Sequence, residues 1–346
     1  KYPKAGEENS TVTAWSYNLS NGAVRKYDLP LAADGYIPRI KTTHDANRII
    51  LYTMNRHQDE LNLYAANPQT GACSLLIKEQ VPKYVKEEAM EGISIMKDYI
   101  LLPSDRDGFM HLYLYDKDGK LLRQVDKGNY DVTAVYGYDE KTGNTYFQAA
   151  ALQPMQREIY VVDKAGKRTV LSEERGWNSA SFSGDYKFFL NTWSDHDHPY
   201  VYAIYDNQGK KIREVLNNTE LIAKIAKYGK VSKEFFAFTT SEGVKLNGWM
   251  IKPADFDKTK KYPVIMHQYS GPGSQQVVDS WSMGSMGNGG LYDQYLTQKG
   301  YIVVTVDGRG TGARGADFEK CTYLKLGDLE SKDQVETAQW LDNQSY

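Results

Sequence analysis

The sequence lacks three features that would place the protein in a special class. It contains no run of about 18 apolar residues, so it predicts no membrane-spanning helix. Its two cysteines, Cys73 and Cys321, are too few for a disulfide-rich scaffold. The net charge of −2 gives no electrostatic reason to expect a nucleic acid as partner. What remains is an ordinary globular composition, with a length that suggests about two domains.

A strand–turn–strand pattern repeats through the first two thirds of the chain. Its five polar turns close on Gly22, Gly71, Gly119, Gly166 and Gly209. These glycines recur at spacings of 43 to 49 residues, a period typical of the blades of a β-propeller. A β-sandwich with similar hairpins is the alternative, but its strands need not recur at a fixed period. The repeat therefore predicts a partial β-propeller over residues 1–225, with five visible repeats.

The strand at residues 111–116, HLYLYD, is apolar on both faces. Leu112 and Leu114 point to one side, and Tyr113 and Tyr115 point to the other. A strand of this kind fits a blade that is stacked between two other blades.

The pattern changes after residue 225. Residues 234–256 read as an antiparallel meander, and residues 262–269 as a further strand. Helical spacing of apolar residues over 291–296 predicts a helix that stops at Gly300. GYIVVTVD at 300–307 predicts a strand buried on both faces. This alternation predicts the beginning of an α/β domain over residues 226–346.

The last predicted helix is expected to begin at a capping box formed by Ser331 and Gln334. Val335, Ala338 and Leu341 follow at helical spacing and predict its buried face.

One loop carries the strongest hint of chemistry. HQYSGPGSQ at residues 267–275 follows the apolar run YPVIM, so a strand ends in a glycine–proline–glycine loop beside Tyr269. Gly271 and Gly273 permit a tight turn, and Pro272 fixes one backbone angle. Taken alone, Tyr269 is an ordinary tyrosine at a strand end.

Five segments together resemble the prolyl oligopeptidase family of serine peptidases, and within it the dipeptidyl peptidase IV group. They keep the family order and span essentially the whole chain: KYPKAG at 1–6, HLYLYD at 111–116, KKYPVIMHQYSGPGSQ at 260–275, VDGRGTGARG at 306–315 and LGDLESKDQVETAQWL at 326–341. The resemblance implies a β-propeller joined to an α/β-hydrolase domain. It also implies removal of N-terminal dipeptides that have proline or alanine second.

The resemblance gives Tyr269 a catalytic role, because a tyrosine hydroxyl at the matching position helps to form the family's oxyanion hole. It also implies that Arg309 anchors the loop at 310–315. No cofactor, metal or nucleic acid is expected. A homodimer formed through the hydrolase domain and a location outside the cytoplasm follow from the resemblance only.

The family's nucleophile elbow, G-x-S-x-G, is absent from the sequence. Ser282 lies in a similar segment, but Ser280 replaces its first glycine. Thr311 reads as a turn residue, and Asp307 precedes any nucleophile, against the order Ser, Asp or Glu, His. We therefore expect the triad downstream of Tyr346, so that the sequence is an inactive piece of a longer enzyme.

The family's amine-binding glutamates are also expected outside the sequence. Glu87-Glu88 falls in the wrong repeat and reads as a solvated charge pair. The GxGxxG match at 310–315 could indicate dinucleotide binding, but Asp307-Gly308-Arg309 separates it from its strand. Asp195-His-Asp-His198 could indicate a metal site, but no third ligand is evident and a polar turn is favoured. The alternative to a peptidase is a β-propeller binding module with a degenerate hydrolase lobe.

Overall fold

The computed structural model describes residues 3–4, 6–281 and 290–346. The chain forms two compact units, residues 1–127 and residues 128–346.

The first unit contains a two-stranded sheet and two four-stranded antiparallel sheets. Their elements are β1 (Trp15–Tyr17), β2 (Val24–Lys26), β3 (Ile40–Thr42), β4 (Ile49–Met54), β5 (Glu60–Ala66), β6 (Cys73–Gln80), helix α1 (Glu87–Glu91), β7 (Ser94–Ile95), β8 (Tyr99–Ser104), β9 (His111–Asp116) and β10 (Leu121–Gln124). The strands pair as β1-β2, β3-β4-β5-β6 and β7-β8-β9-β10.

A hydrophobic core lies between the two four-stranded sheets of this unit. Tyr52 and Leu63 pack there with Leu102 and Tyr113 of the neighbouring sheet. All residues of β9 except the last are buried. The prediction of a strand buried on both faces at this position is therefore confirmed.

The second unit begins with two further four-stranded antiparallel sheets. They comprise β11 (Val132–Asp139), β12 (Asn144–Ala149), β13 (Glu158–Val162) and β14 (Arg168–Val170), then β15 (Trp177–Phe182), β16 (Phe188–Ser194), β17 (Val201–Asp206) and β18 (Lys211–Leu216). Aromatic rings fill the space between them: Phe182 lies 4.7 Å from Tyr146 and 4.9 Å from Phe189, measured between ring centroids. Each sheet thus buries one face against the other.

The repeat predicted from the sequence corresponds to these sheets. The five glycines Gly22, Gly71, Gly119, Gly166 and Gly209 all lie in a hairpin turn and all have φ between 70° and 88°. Because this left-handed conformation costs glycine little, the recurring residue marks the recurring turn. The partial β-propeller is confirmed; the first repeat is two-stranded.

The rest of the second unit has the alternation of an α/β domain. It consists of α2 (Thr219–Ala226), β19 (Glu234–Thr239), β20 (Lys245–Ile251), β21 (Val264–Met266), α3 (Leu291–Gln298), β22 (Ile302–Asp307), α4 (Ala316–Glu319) and α5 (Asp328–Asp342). The strand order is β19-β20-β22-β21, with β21 and β22 parallel and the other pairs antiparallel. The start of an α/β-hydrolase domain is confirmed, and the boundary between residues 225 and 226 stays a prediction.

Strand β22 is buried along its whole length, as its continuous apolar run predicts. Ile302 and Val304 pack with Leu246 on one face, and Val303 packs with Trp249 on the other. Strand β21 is shorter than the predicted 262–269, since Pro263 has no N–H to donate and the loop begins soon after Met266.

The predicted start of the last helix is wrong, and of the three residues predicted for its buried face only Leu341 is buried. Helix α5 begins at Asp328, where the backbone N–H of Gly327 donates to Glu330 Oε2 over 3.0 Å. The buried residues are Glu330, Asp333, Thr337 and Leu341, whereas Val335 is exposed. Asp333 accepts hydrogen bonds from Arg309, and this contact directs the face of α5 that carries Asp333 towards the interior.

Within the ranges that the structure describes, no helix has both the length and the apolar character needed to cross a bilayer.

Candidate functional site

Tyr269 lies two residues beyond the last backbone hydrogen bond of β21. The N–H of His267 still donates to the carbonyl of Val304 over 2.9 Å, and the chain then leaves the sheet. The Tyr269 side chain is 62% exposed, and its hydroxyl makes no hydrogen bond with any described residue. The ring lies over Gly271, where a Cβ would stand 3.0 Å from both Cζ and the hydroxyl oxygen. Glycine at 271 thus leaves room for the phenol.

The loop after Tyr269 is closed by its own hydrogen bonds. The Ser274 N–H donates to the carbonyl of Gly271 over 2.9 Å, and the Ser274 hydroxyl donates to the carbonyl of Tyr269 over 3.1 Å. Gly273 has φ of 76°, which favours glycine. The turn therefore fixes the backbone on which the Tyr269 ring stands.

A second loop, residues 308–312, supports the first. The N–H of Gly273 donates to the carbonyl of Gly310 over 3.0 Å, and the N–H of Gly312 donates to the carbonyl of Ser274 over 2.9 Å. A Cβ on Gly312 would lie 2.7 Å from the carbonyl oxygen of Gly273. The two backbones can approach this closely only because position 312 has no side chain.

Asp307, at the end of β22, holds the far end of the Tyr269 loop. Its two carboxylate oxygens accept the N–H groups of Gln276 and Val277, each over 2.9 Å. Burial raises the pKa of Asp307 to about 6, although these two hydrogen bonds and the charge of Arg314 oppose the rise. Asp307 thus fixes the backbone at residues 276 and 277, which agrees with its exclusion as a triad acid.

Arg309 anchors the loop at 308–312 to helix α5. Its backbone N–H and Nη2 each lie 2.7 Å from a carboxylate oxygen of Asp333, which is fully buried. Its Nη1 also contacts Glu242 over 2.8 Å. The hydrogen bond to Asp333 raises the pKa of the guanidinium above its ordinary value.

The blade β11–β14 of the second unit also holds the Tyr269 loop. Arg157 Nη2 donates to Gln275 Oε1 over 2.5 Å, and Gln275 Nε2 donates to the carbonyl of Pro154 over 2.7 Å. Further along, Asp279 accepts from Gln156 Nε2 over 2.8 Å. Sequence reasoning missed these contacts because partners more than a hundred positions apart leave no local signal.

His196 also contacts the far end of this segment. Its Nδ1 lies 2.8 Å from Asp279 Oδ1, and this hydrogen bond raises the pKa of His196. The neighbouring His198 instead pairs with Asp195, 2.8 Å from Oδ2. The two histidines of the Asp195–His198 segment therefore contact different carboxylates.

Two other sequence candidates, Glu87 and Thr311, have structural contacts. Glu87 begins helix α1 and lies 3.5 Å from Arg39, and Glu88 is exposed beside it. The Thr311 hydroxyl is buried and donates to the carbonyl of Gly308 over 2.8 Å. Ser282 lies outside the residues that the structure describes.

Loop 310–315, which matches GxGxxG, also contacts a blade. The N–H of Gly315 donates to Asp131 Oδ2 over 2.7 Å, so the backbone N–H of the last glycine of the motif already has an acceptor within the protein.

Comparison with known proteins relates this chain to one group of enzymes. The family model of the dipeptidyl peptidase IV N-terminal region matches residues 1–200, and that of the prolyl oligopeptidase family matches residues 291–346. Dipeptidyl peptidase 4 of Arthroderma otae is 29% identical over 97% of this chain and 44% of its own length. That of Trichophyton rubrum is 27% identical over the same shares.

A solved structure extends the comparison to the fold. The crystal structure of Porphyromonas gingivalis dipeptidyl peptidase 4 superposes with a TM-score of 0.95 at 39% identity, over 100% of this chain and 48% of that one. The chain thus spans about half the length of the relatives that it matches. It belongs to the dipeptidyl peptidase IV group of the prolyl oligopeptidase family.

Proposed function

We propose that this chain forms part of a serine exopeptidase that releases N-terminal dipeptides with proline or alanine second. Tyr269 would supply a hydrogen bond to the oxyanion of the tetrahedral intermediate. The observation that carries the proposal is an exposed phenol, whose hydroxyl has no hydrogen-bond partner among the described residues, on a loop that is held by hydrogen bonds to residues 308–312 and to Arg157.

A fixed donor suits this chemistry. Attack on an amide carbonyl develops negative charge on its oxygen, and a donor already in place pays no reorganisation energy when that charge forms. One such donor contributes about 3–4 kcal/mol to transition-state stabilisation. The hydroxyl of Tyr269 has no competing acceptor among the described side chains, so it remains available to a substrate.

The position of Tyr269 in the sheet supports the same role. Strand β21 is the last strand in the order β19-β20-β22-β21, and Tyr269 follows its carboxyl end. In α/β-hydrolases the nucleophile stands on a sharp turn after a strand, and donors near the top of an early strand complete the oxyanion hole. A further parallel strand beside β21 would bring its own carboxyl end close to Tyr269.

The serine, histidine and acid of the triad would lie in the remainder of a longer chain, since the relatives are about twice as long as the part that matches. The serine would attack the carbonyl, and the histidine would accept its proton and return it to the leaving amine. Tyr269 would donate its hydroxyl hydrogen bond to the oxyanion throughout, without transferring the proton. Only this last role belongs to the residues described above.

The test is Tyr269→Phe in the full-length enzyme, assayed by hydrolysis of a Gly-Pro-chromophore. We expect kcat to fall about 10²–10³-fold with little change in KM, because the lost bond forms only in the transition state. The matched control is Tyr228→Phe, since Tyr228 is 77% exposed and forms no hydrogen bond or ring contact with residues 267–275. Unchanged kcat in the Tyr269 variant would overturn the role of Tyr269. If the unmodified full-length protein does not hydrolyse this substrate, the result would favour the alternative of a β-propeller binding module with a degenerate hydrolase lobe.

Two further parts of the proposal rest on family membership. We propose that the enzyme acts outside the cytoplasm and forms a homodimer through its hydrolase domain. Cell fractionation with an antibody and light scattering of the purified protein test these two statements separately.

A further inference from the structure

We propose that Arg157 is a positioning residue for Tyr269, and that the sheet β11–β14 thereby takes part in aligning the oxyanion donor. This inference rests on the proposed role of Tyr269. It adds a contribution from a propeller blade to a site whose chemistry belongs to the hydrolase domain.

Arg157 is placed immediately before β13 and is only 4% exposed. Its Nη1 donates to the carbonyls of Pro154 and Gln156, each over 2.8 Å, and its Nη2 donates to Gln275. The guanidinium stacks over the ring of Trp177 at 4.5 Å. The blade therefore holds the guanidinium rigidly and points one of its nitrogens at the Tyr269 loop.

The burial of this charge calls for a reason other than packing. Among the described residues, no carboxylate lies within salt-bridge distance of the guanidinium, and its Nε has no hydrogen-bond partner. Burial lowers the pKa of Arg157 to about 10, although Glu158 and Asp131 oppose this. An apolar side chain would fill the same space without the desolvation cost. Of the three side-chain contacts that need a donor, two go to Pro154 and Gln156 beside Arg157 itself, and the one to Gln275 reaches the Tyr269 loop.

Gln275 transmits this contact to the loop. Its oxygen accepts from Arg157 and its nitrogen donates to Pro154, so both ends of the amide are held by one blade loop. The preceding residue, Ser274, accepts from Gly312 and donates its hydroxyl to the carbonyl of Tyr269. The guanidinium of Arg157 is thus connected to the backbone of Tyr269 through Gln275 and its neighbour Ser274.

A small shift of this backbone would matter for catalysis. Donors and reacting groups need near-ideal placement, and a displacement of about 1 Å can cost about a hundredfold in rate. Without Arg157, Gln275 would keep one hydrogen bond to the blade and could rotate about it. We expect partial misalignment of Tyr269, and hence an effect smaller than that of losing its hydroxyl.

The experiment uses the full-length enzyme with Arg157→Met, because methionine keeps an apolar stem over Trp177 and removes the donors. We expect kcat for Gly-Pro-chromophore hydrolysis to fall about tenfold with KM changed less than about twofold. A dipeptide boronate, which forms a tetrahedral adduct, should bind about tenfold more weakly, whereas a non-covalent product dipeptide should bind as before.

Two further variants separate positioning from folding. Gln275→Ala leaves the buried arginine in its blade and should reproduce the loss of kcat. Arg168→Met is the control, since Arg168 stacks over Tyr130 and Tyr160 at the edge of the same sheet and makes no contact with the Tyr269 loop. Thermal melting of each variant verifies that the protein is folded.

The decisive comparison places Arg157→Met in the Tyr269→Phe background. A positioning residue acts through the phenol, so the second substitution should then cost less than about twofold. A full additional tenfold loss, or unchanged kcat in the folded Arg157 and Gln275 single variants, would overturn the inference. If Tyr269→Phe alone has no effect, the proposed role of Tyr269 fails, and the positioning role fails with it.

Discussion

The ion pair between Arg309 and Asp333 offers the sharpest test of how the site is supported. We consider Asp333→Ala. The carboxylate is fully buried and lies within 3.1 Å of Arg309 Nε and 2.7 Å of both its backbone nitrogen and its Nη2. The substitution would leave these donors without their main acceptor at the point where helix α5 meets the loop at 308–312.

The expected cost follows from burial. Removing one partner of a buried ion pair costs about 3–5 kcal/mol, because the other charge is left unpaired in a poorly solvated place. Here Arg309 would keep its contact with Glu242, whose side chain is partly exposed. We therefore expect the lower end of this range, about 3 kcal/mol, which corresponds to about a hundredfold in a local opening equilibrium.

Hydrogen exchange followed by mass spectrometry measures such local opening in a large protein. Peptides from α5 and from residues 308–312 should exchange about a hundredfold faster in the Asp333→Ala variant. Glu242→Gln is the control at the solvent end of the same guanidinium, where an exposed pair contributes less than about 1 kcal/mol. Equal effects of the two substitutions, or unchanged exchange in α5, would refute the argument from burial.

Two further predictions concern pH and turns. The raised pKa of His196 means that its stabilisation by Asp279 is fully present below about pH 6.5 and is lost as the pH rises through the folded-state value. The difference in melting temperature between the wild type and His196→Gln should therefore be largest in acid and shrink at alkaline pH; a constant difference would contradict this. Gly119 and Gly166 occupy equivalent turns with φ of 88° and 87°, but a Cβ at 119 would overlap the carbonyl of Leu76, whereas a Cβ at 166 meets nothing within 4 Å. Gly166→Ala should cost about 1–2 kcal/mol in urea unfolding, and Gly119→Ala clearly more; similar costs would exclude the overlap as the cause.

Local chemistry explains what the sequence could predict. A glycine that must adopt positive φ recurs wherever the hairpin recurs, so the period of the blades is visible in one dimension. The run at Ile302–Asp307 is apolar on both faces because the strand is covered on both faces, and this too leaves a local pattern.

The supports of Tyr269 could not be predicted in this way. Arg157 and Gln275 are 118 positions apart, and their contact depends on how blade and sheet fold together. The buried face of α5 could not be predicted correctly, because an acid such as Asp333 reads as a surface residue until its partner Arg309 is known. Val335, which looks like a core residue, faces solvent instead.

The close approach of Gly312 to Gly273 has a consequence for divergence among related enzymes. Two loops that meet at backbone distance cannot change independently, because any side chain at 312 would displace the carbonyl of Gly273. Variation at one position requires a compensating change in the path of the other, and the path of that loop sets where Tyr269 stands. Substitutions in this part of the protein are therefore expected to be tolerated better away from these paired glycines, and mutant libraries should leave both unchanged.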